Sequence, residues 1–258
     1  MKILIVSGFL GAGKTTFIKR LARNVDQRFA ILENEYGAAG IDGARLGQNR
    51  QGTQKNVWEM TEQCICCIGK KDFAASVLTI ANVVDPEYLI VEPTGVGSLA
   101  RIIENLRQIE YERIQLLSPV TIVDVYSYRR YMAEYPELYQ DQIRSADTII
   151  VSKTEACQAE EKQRIQKFLQ EINPQAKIIT DYASTMTRED YQSLLLGGRY
   201  EKEVQDTQSG EKMPETFSFE NIRMEAPETL WCFLEQIIRG AFGNIIRAKG
   251  QFAAGDQF

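Results

Sequence analysis

The sequence predicts an α/β fold, with a mostly parallel sheet covered by helices on both of its faces. Between residues 2 and 180, short apolar runs alternate with segments whose apolar residues recur at helical spacing. The runs are almost continuously apolar, which is typical of strands that are buried on both faces of a sheet. The first run leads directly into a glycine-rich segment and then into a helix.

The first predicted strand, at residues 2–7, is followed by Gly-Phe-Leu-Gly-Ala-Gly-Lys-Thr-Thr from Gly8 to Thr16. The pattern Gly-x-x-x-x-Gly-Lys-Thr between a strand and a helix indicates a loop that binds phosphate groups. Glycine permits a tight loop whose backbone N–H groups face anionic oxygens, and the helix adds the positive end of its dipole. The alternative is a glycine-rich turn that binds nothing, which the register of strand, loop and helix disfavours.

Two residues of this segment have a specific predicted part. Lys14 is expected to reach the β- and γ-phosphates of a nucleotide, and the Thr15 hydroxyl to coordinate Mg²⁺. The residues expected to bind the nucleotide in this segment are Gly8, Gly11, Ala12, Gly13, Lys14, Thr15 and Thr16.

The chain then continues through a helix at residues 15–23 and a strand at residues 29–33. Residues 34–54 are rich in glycine, which predicts a mobile loop region where a nucleotide-sensing segment would fall. A short strand at residues 56–60 and a helix at residues 72–81 flank a cluster of cysteines.

A buried strand at residues 88–92 ends at Glu92, directly before Pro-Thr-Gly. An acidic residue at the carboxyl end of a parallel strand near a phosphate loop is where a carboxylate associated with Mg²⁺ belongs. We therefore predict that Glu92 acts with Thr15 at the magnesium ion. The alternative is an acid that simply caps the end of the strand.

Helices and strands continue to alternate after Glu92. The spacing of apolar residues predicts helices at residues 98–108 and 158–172, and two short helices within residues 126–144 that are separated near Pro136. Apolar runs predict strands at residues 119–124, 148–151 and 177–180.

The strand at residues 148–151 leads into Ser152-Lys153-Thr154-Glu155. GTPases commonly carry Asn-Lys-x-Asp here, where the acid accepts two hydrogen bonds from guanine and the lysine stem stacks on the base. Because adenine lacks that donor pair, we predict that Ser152, Lys153 and Glu155 bind the guanine of GTP or GDP. Glutamate is one methylene longer than aspartate, so adenine, a relaxed pocket or a solvated polar turn remain alternatives.

The composition changes after the last strand of this series. Residues 198–213 are polar and predict a linker between a domain at residues 1–197 and a small α+β domain at residues 214–258. The second domain has a predicted strand, helix and strand, which are too few elements to fold alone. We expect them to dock on the first domain or on a partner.

Composition and charge exclude several classes of function. The formal net charge is −5, whereas a nucleic-acid-binding protein is expected to carry a basic face. No apolar run is long enough to span a bilayer, and the first strand begins at the N-terminus. We therefore expect a cytoplasmic protein with no signal peptide and no membrane partner. The chain has no histidine, which excludes imidazole as an acid, base or metal ligand.

The cysteine cluster has the sequence Cys64-Ile65-Cys66-Cys67. Clustered cysteines in a reducing compartment indicate metal or redox chemistry, and thiolates are soft ligands suited to Zn²⁺ or Cu⁺. Three thiolates leave a tetrahedral site one ligand short, which a carboxylate from residues 33–35, water or substrate could supply. The alternative is a reduced, half-buried cluster without metal.

Five segments, taken together and in this order, resemble the CobW-type metallochaperone GTPases, relatives of the nickel chaperones of hydrogenase and urease maturation. The segments lie at residues 8–16, 33–42, 64–67, 92–95 and 152–155, and residues 247–250 resemble a strand of that family's C-terminal domain. The resemblance implies a P-loop GTPase fold and a transition metal, most often Zn²⁺, with Co²⁺ and Fe²⁺ also proposed. It assigns that metal to Glu33, Cys66 and Cys67, with Cys64 as a further participant.

The resemblance also implies an activity and partners. GTP hydrolysis to GDP would control a metal that passes to a client apo-metalloprotein, and a homodimer is a further candidate partner. We expect slow hydrolysis that depends on Lys14, Thr15, Glu92 and, for orienting water, Glu35, since no arginine finger or catalytic glutamine is evident. The alternatives are a nucleotide-binding zinc or redox regulator and a small-molecule kinase with a structural metal.

Overall fold

A computed structural model describes the chain at residues 1–27, 29–35, 57–63, 70–204, 217, 226–243, 245, 246, 248 and 250. The side chains of residues 33–35, 57–63 and 70–73 lie outside the described part. The chain divides into two units, Met1–Glu215 and Thr216–Phe258.

The first unit is built on a sheet of parallel strands. The strands are β1 (Lys2–Gly8), β2 (Phe29–Glu35), β3 (Val57–Gln63), β4 (Tyr88–Glu92), β5 (Gln115–Leu116), β6 (Val120–Asp124), β7 (Thr148–Ser152) and β8 (Lys177–Ile179). They are ordered β3-β2-β4-β1-β6-β7-β8, and β5 also pairs with β1. Every pairing between neighbouring strands is parallel, so the carboxyl ends of the strands lie along one edge of the sheet.

Helices cover this sheet. In the first unit they are α1 (Lys14–Asn24), α2 (Lys70–Val83), α3 (Leu99–Arg107), α4 (Tyr128–Glu134), α5 (Pro136–Arg144), α6 (Ala159–Ile172), α7 (Tyr182–Thr185) and α8 (Arg188–Leu196). The helices contact one another in two groups. α1 packs on α8; α2 packs on α3, and α5 packs on α3, α4 and α6. The apolar residues of β1, β4, β6 and β7 are buried on both strand faces, as a sheet covered on two sides requires. The predicted fold of this unit is confirmed.

The predicted elements differ little from those observed. Between residues 88 and 179 each one agrees to within two residues, and Pro136 begins α5 directly after the chain breaks from α4. The corrections before residue 88 concern two strand ends: the strand predicted at residues 56–60 continues to Gln63, and residues 34 and 35, predicted to be loop, extend β2. They remain in the strand because β3 continues beside them to Gln63.

β5, α7 and α8 were not predicted. β5 has only two residues, and it is defined by its pairing with β1 rather than by a local pattern. α8 begins with a capping box between Thr187 and Asp190, a signal that the sequence carried. Tyr191 and Leu195 of this helix are buried in the core formed with α1.

The start of the predicted linker lies against the first unit. The Tyr200 N–H donates to the Leu116 carbonyl at 2.8 Å, and the Tyr200 hydroxyl donates to the Ser145 carbonyl at 3.0 Å. The Tyr200 side chain is fully buried as a result. The domain boundaries at residues 197 and 214 nevertheless remain a prediction.

In the second unit the structure describes one helix, α9 (Pro227–Ile238), which was predicted at residues 227–239. The strands predicted at residues 216–224 and 244–252 fall almost entirely outside the described residues, so the small α+β domain remains a prediction. Across both units, none of the helices in the described ranges combines the length and the apolar character needed to cross a bilayer.

Candidate nucleotide-binding site

The phosphate loop, residues 8–13, connects β1 to α1. Gly8, Gly11 and Gly13 have φ angles of 141°, 73° and 102°, which residues with a side chain rarely adopt. Gly13 is the N-cap of α1, so its left-handed backbone turns the chain directly into the helix. These angles give the compact loop that a cradle of backbone N–H groups requires, and the α1 N-terminus faces the same place.

Lys14, Thr15 and Thr16 begin α1 beside this loop. Lys14 is buried, and its Nζ donates to the Gly8 carbonyl at 2.9 Å, which holds the ammonium group across the loop. Thr15 is half-buried and Thr16 is exposed at the helix surface. The loop therefore combines backbone donors with a positive charge, the chemistry that binds anionic oxygens.

Thr15 and Glu92 meet at the carboxyl edge of the sheet. The Thr15 hydroxyl donates to the Glu92 carboxylate, with Oγ1 at 3.1 and 3.2 Å from its two oxygens. Mg²⁺ prefers hard oxygen donors of this kind, so the two side chains fit the ion. The structure thus brings together the two residues predicted for magnesium, while their coordination of the ion remains a prediction.

Ser152 joins the predicted base-recognition segment, residues 152–155, to the phosphate loop. Its buried hydroxyl donates to the Ala12 carbonyl at 2.5 Å. A Cβ built on Gly13 would lie 3.8 Å from the Ser152 side chain, which is ordinary contact. The predicted base and phosphate residues therefore form one continuous site.

Asp124 is a further residue of this site, and it was not predicted. It ends β6 as the strand partner of Ser152, and its Oδ2 lies 2.6 Å from the Lys153 Nζ. The Asp124 side chain is 9% exposed and the Lys153 side chain 48%, so a buried carboxylate positions a half-exposed lysine. An acid at the end of a buried strand was the available signal, the same one that led to Glu92.

Two further carboxylates lie in or near the base-recognition segment, Glu155 within it and Asp181 outside it. Glu155 is exposed, as the second residue after Lys153. Asp181, directly after the β8 region, lies 2.6 Å from the Lys162 ammonium. The hydrogen bond from Lys162, together with one from Thr154, lowers the pKa of Asp181 below its ordinary value. Asp181 is therefore ionised at neutral pH near the segment, a contact that was not predicted.

The predicted transition-metal ligands lie mostly outside the described residues. The backbone of Glu33 is the strand partner of Glu92, and that of Glu35 is the partner of Gln63 at the end of β3. The chain continues from Gln63 directly into the cysteine motif. Outside the described residues lie the side chains of Glu33 and Glu35, the glycine-rich region at 36–54, and Cys64, Cys66 and Cys67.

Within the part of the chain that the structure describes, no three cysteine or acidic side chains lie together as a metal site would require. The described cysteines are Cys157, which is half-buried, and Cys232, which is exposed. The assignment of the transition metal to the cysteine motif stays a prediction, since the motif lies outside the described residues.

The sequence model of the family described as CobW/HypB/UreG, nucleotide-binding domain, matches residues 2–180. The chain belongs to the CobW/HypB/UreG family. The match extends from β1 to the residue after β8, so it includes every strand of the sheet and the nucleotide-site residues from Gly8 to Glu155, and it ends one residue before Asp181. The resemblance drawn from the five sequence segments is confirmed at the level of the family.

Curated relatives of this CobW/HypB/UreG member include two proteins named as zinc chaperones. Zinc chaperone YeiR of Escherichia coli is 30% identical over 178 residues, which are 68% of this chain and 53% of that protein. Zinc chaperone CobW of Pseudomonas aeruginosa is 27% identical over 194 residues, 64% of this chain and 52% of that protein. The chain thus spans about half the length of the curated relatives it matches.

A solved structure supports the fold of this family member. The Zn(II)-bound YjiA GTPase from E. coli matches with a TM-score of 0.53 at 21% identity, over 78% of this chain and 66% of that one. At this identity the likeness concerns the fold alone. It agrees with the parallel sheet and phosphate loop of a P-loop GTPase.

Proposed function

We propose that this chain binds and hydrolyses GTP with Mg²⁺, and that the nucleotide controls a transition-metal site at the cysteine motif. The metal is Zn²⁺, and it passes to a client apo-metalloprotein. The observation that carries the proposal is the strand order β3-β2-β4-β1. It sets the end of the strand before Cys64, the Glu92 carboxylate and the phosphate loop along one edge of the sheet. Relatives named as zinc chaperones support the choice of metal.

The nucleotide half of the proposal rests on described contacts. Lys14 and the backbone of the phosphate loop supply positive charge and N–H donors for the phosphates. Thr15 and Glu92 would hold Mg²⁺, which bridges phosphate oxygens and neutralises the charge that develops during hydrolysis. Ser152, Lys153 and Glu155 would recognise guanine, with Glu155 as the acid that accepts its hydrogen bonds. Ser152 fixes this segment to the phosphate loop.

The coupling half rests on the register of the sheet. The backbone of Glu33 is paired with that of Glu92, and neighbouring strands lie about 5 Å apart. The residue predicted to ligate Zn²⁺ and the residue predicted for Mg²⁺ are thus neighbours in the sheet. β3 lies directly beyond β2 and ends next to Cys64. A movement of Glu92 when the γ-phosphate is lost would therefore reach the predicted zinc ligand Glu33 across a single strand pairing.

The proposal is tested by measuring Zn²⁺ affinity, by competition with a chelating dye, in the presence of GDP and of a non-hydrolysable GTP analogue with Mg²⁺. We expect about tenfold tighter Zn²⁺ binding with the analogue, within the usual range of coupling between two sites. Equal affinities in the two states would contradict nucleotide control. A protein that releases no phosphate from GTP would instead be a regulator rather than a GTPase.

Substitutions separate the two halves of the proposal. Changing Cys66 and Cys67 to serine should remove Zn²⁺ binding in both nucleotide states and leave affinity for the GTP analogue unchanged. Cys157→Ser is the matched control, because Cys157 is a described free thiol outside the motif. It should leave both affinities as they are.

A further inference from the structure

The loop at residues 93–98 joins Glu92 to α3 and lies against the phosphate loop. Gly95 makes the closest approach, because a Cβ there would lie 2.5 Å from the Leu10 nitrogen and 2.9 Å from the Leu10 Cα. Those atoms are backbone, so only glycine fits without displacing the phosphate loop. The post-β4 loop, as we call residues 93–98, therefore borders the phosphate loop and the contact between Thr15 and Glu92.

Gln142, on α5, holds the post-β4 loop by two of its carbonyl groups. The Gln142 Nε2 donates to the Gly95 carbonyl at 3.1 Å and to the Gly97 carbonyl at 2.9 Å. The side chain is 1% exposed, and among the described residues its Oε1 has no hydrogen-bond partner. Both protons of the Gln142 amide therefore donate to the post-β4 loop, and burial protects these two hydrogen bonds from competition by water.

The neighbours of Gln142 anchor α5 to fixed parts of the fold. The Asp141 Oδ2 accepts a hydrogen bond from the Leu99 N–H at 2.6 Å, at the start of α3. The Thr121 hydroxyl, on β6, donates to the Gln142 carbonyl at 2.8 Å. Gln142 therefore connects the post-β4 loop to α5, a helix that is itself hydrogen-bonded to the start of α3 and to β6.

From these contacts we propose that Gln142 is a positioning residue for the nucleotide site, which sets the site's preference for a triphosphate over a diphosphate. The inference rests on the proposed function. Gln142 acts through Gly95 and does not touch the nucleotide. Mg²⁺ held by Thr15 and Glu92 would bridge the β- and γ-phosphates, which would set the γ-phosphate beside the post-β4 loop. A loop that is already held in place would then meet the γ-phosphate without the entropic cost of ordering. GDP ends before this loop and gains nothing from the restraint.

Gln142→Met tests the proposal, because methionine has a similar length but donates no hydrogen bond. Dissociation constants are measured for GDP and for a non-hydrolysable GTP analogue with Mg²⁺. We expect the affinity for the analogue to fall about tenfold and that for GDP to change less than about twofold, from loss of two buried hydrogen bonds. An equal loss for both nucleotides, or no loss for either, would overturn the proposal.

Gln140→Met is the matched control on the same helix, since Gln140 bonds only the exposed Arg144 in the described contacts. It should change neither affinity. If the methionine variant does not fold, Gln142→Asn keeps the amide but withdraws it by one methylene. The same selective loss is expected, and the same equal loss would refute it. A wild-type protein that binds neither nucleotide would refute the proposed function instead.

Discussion

The phosphate side and the base side of the candidate site are held together by different chemistry. On the phosphate side, the half-buried Thr15 hydroxyl donates to the Glu92 carboxylate, and the buried Gln142 amide donates to the post-β4 loop. On the base side, Asp124 and Lys153 form an ion pair whose lysine is half-exposed. Solvent screens the second contact more than the first. Substitutions on the phosphate side should therefore affect binding and hydrolysis themselves, and those on the base side the choice of base.

Lys14→Ala is the strongest test of the phosphate side. We expect affinity for both GDP and the GTP analogue to fall about 100-fold, because a buried charged donor to phosphate is lost. Titration of a fluorescent guanine nucleotide measures both constants. Lys19→Ala, farther along α1, is the matched control and should bind as the wild type does. Retention of wild-type affinity by Lys14→Ala would contradict the assignment of the phosphate loop.

Glu92→Gln keeps the shape of the side chain and removes its charge. We expect the rate of phosphate release with Mg²⁺ to fall about 30-fold, since a carboxylate that helps to hold the metal ion is lost. Affinity for GDP without Mg²⁺ should change much less. A variant whose hydrolysis needs no more Mg²⁺ than the wild type would show that Glu92 only caps its strand.

Asp124→Asn tests the ion pair on the base side. We expect guanine-nucleotide affinity to fall about three- to tenfold, a small effect because the Lys153 side chain is half-exposed and its charge partly screened. Glu134→Gln, in an exposed ion pair with Arg130, is the matched control. A loss as large as that of Lys14→Ala would remove the contrast between the two sides.

Glu155→Gln and Asp181→Asn, measured one by one, sharpen the base side further. One of these two acids is expected to accept the hydrogen bonds of guanine. The preference for GTP over ATP should fall about fivefold when that acid is replaced and should stay constant when the other acid is replaced. Competition of each nucleotide against a fluorescent GDP measures this ratio. We expect Glu155 to be that acid. A change only in Asp181→Asn would transfer the role to Asp181.

Local patterns predicted most of the sheet and the phosphate side. The loop from Gly8 to Thr15 and the acid at Glu92 carry their signals within a few residues of sequence. Asp124 carried the same local signal as Glu92, an acid at the end of a buried strand, but its lysine partner lies 29 residues away in sequence. Gln142 carried no local signal, because the loop carbonyl that it binds lies 47 residues away. A polar side chain in the middle of a helix looks solvated until the tertiary fold supplies its acceptors.

Contacts that are distant in sequence also decide which residues of the predicted linker are buried, and local patterns do not reveal them. Tyr200 lies in a polar segment, and only the neighbouring Leu116 and Ser145 make it a buried residue. In α9 the side chains of Trp231 and Ile238 are 72% and 84% exposed, although their residue types favour burial. The prediction that this helix docks on the first domain or on a partner therefore remains to be tested.

The contacts of Tyr200 have a practical consequence for dissecting this protein. Its ring also lies 5.4 Å beneath the Arg107 guanidinium group, which donates to the Lys202 carbonyl. A truncation after residue 197 would remove residues 198–204 with these contacts, and the Leu116 carbonyl would lose its hydrogen bond from the Tyr200 N–H. Recombinant expression of the first unit should therefore retain the chain through residue 204, and the shorter version should aggregate or melt at a lower temperature.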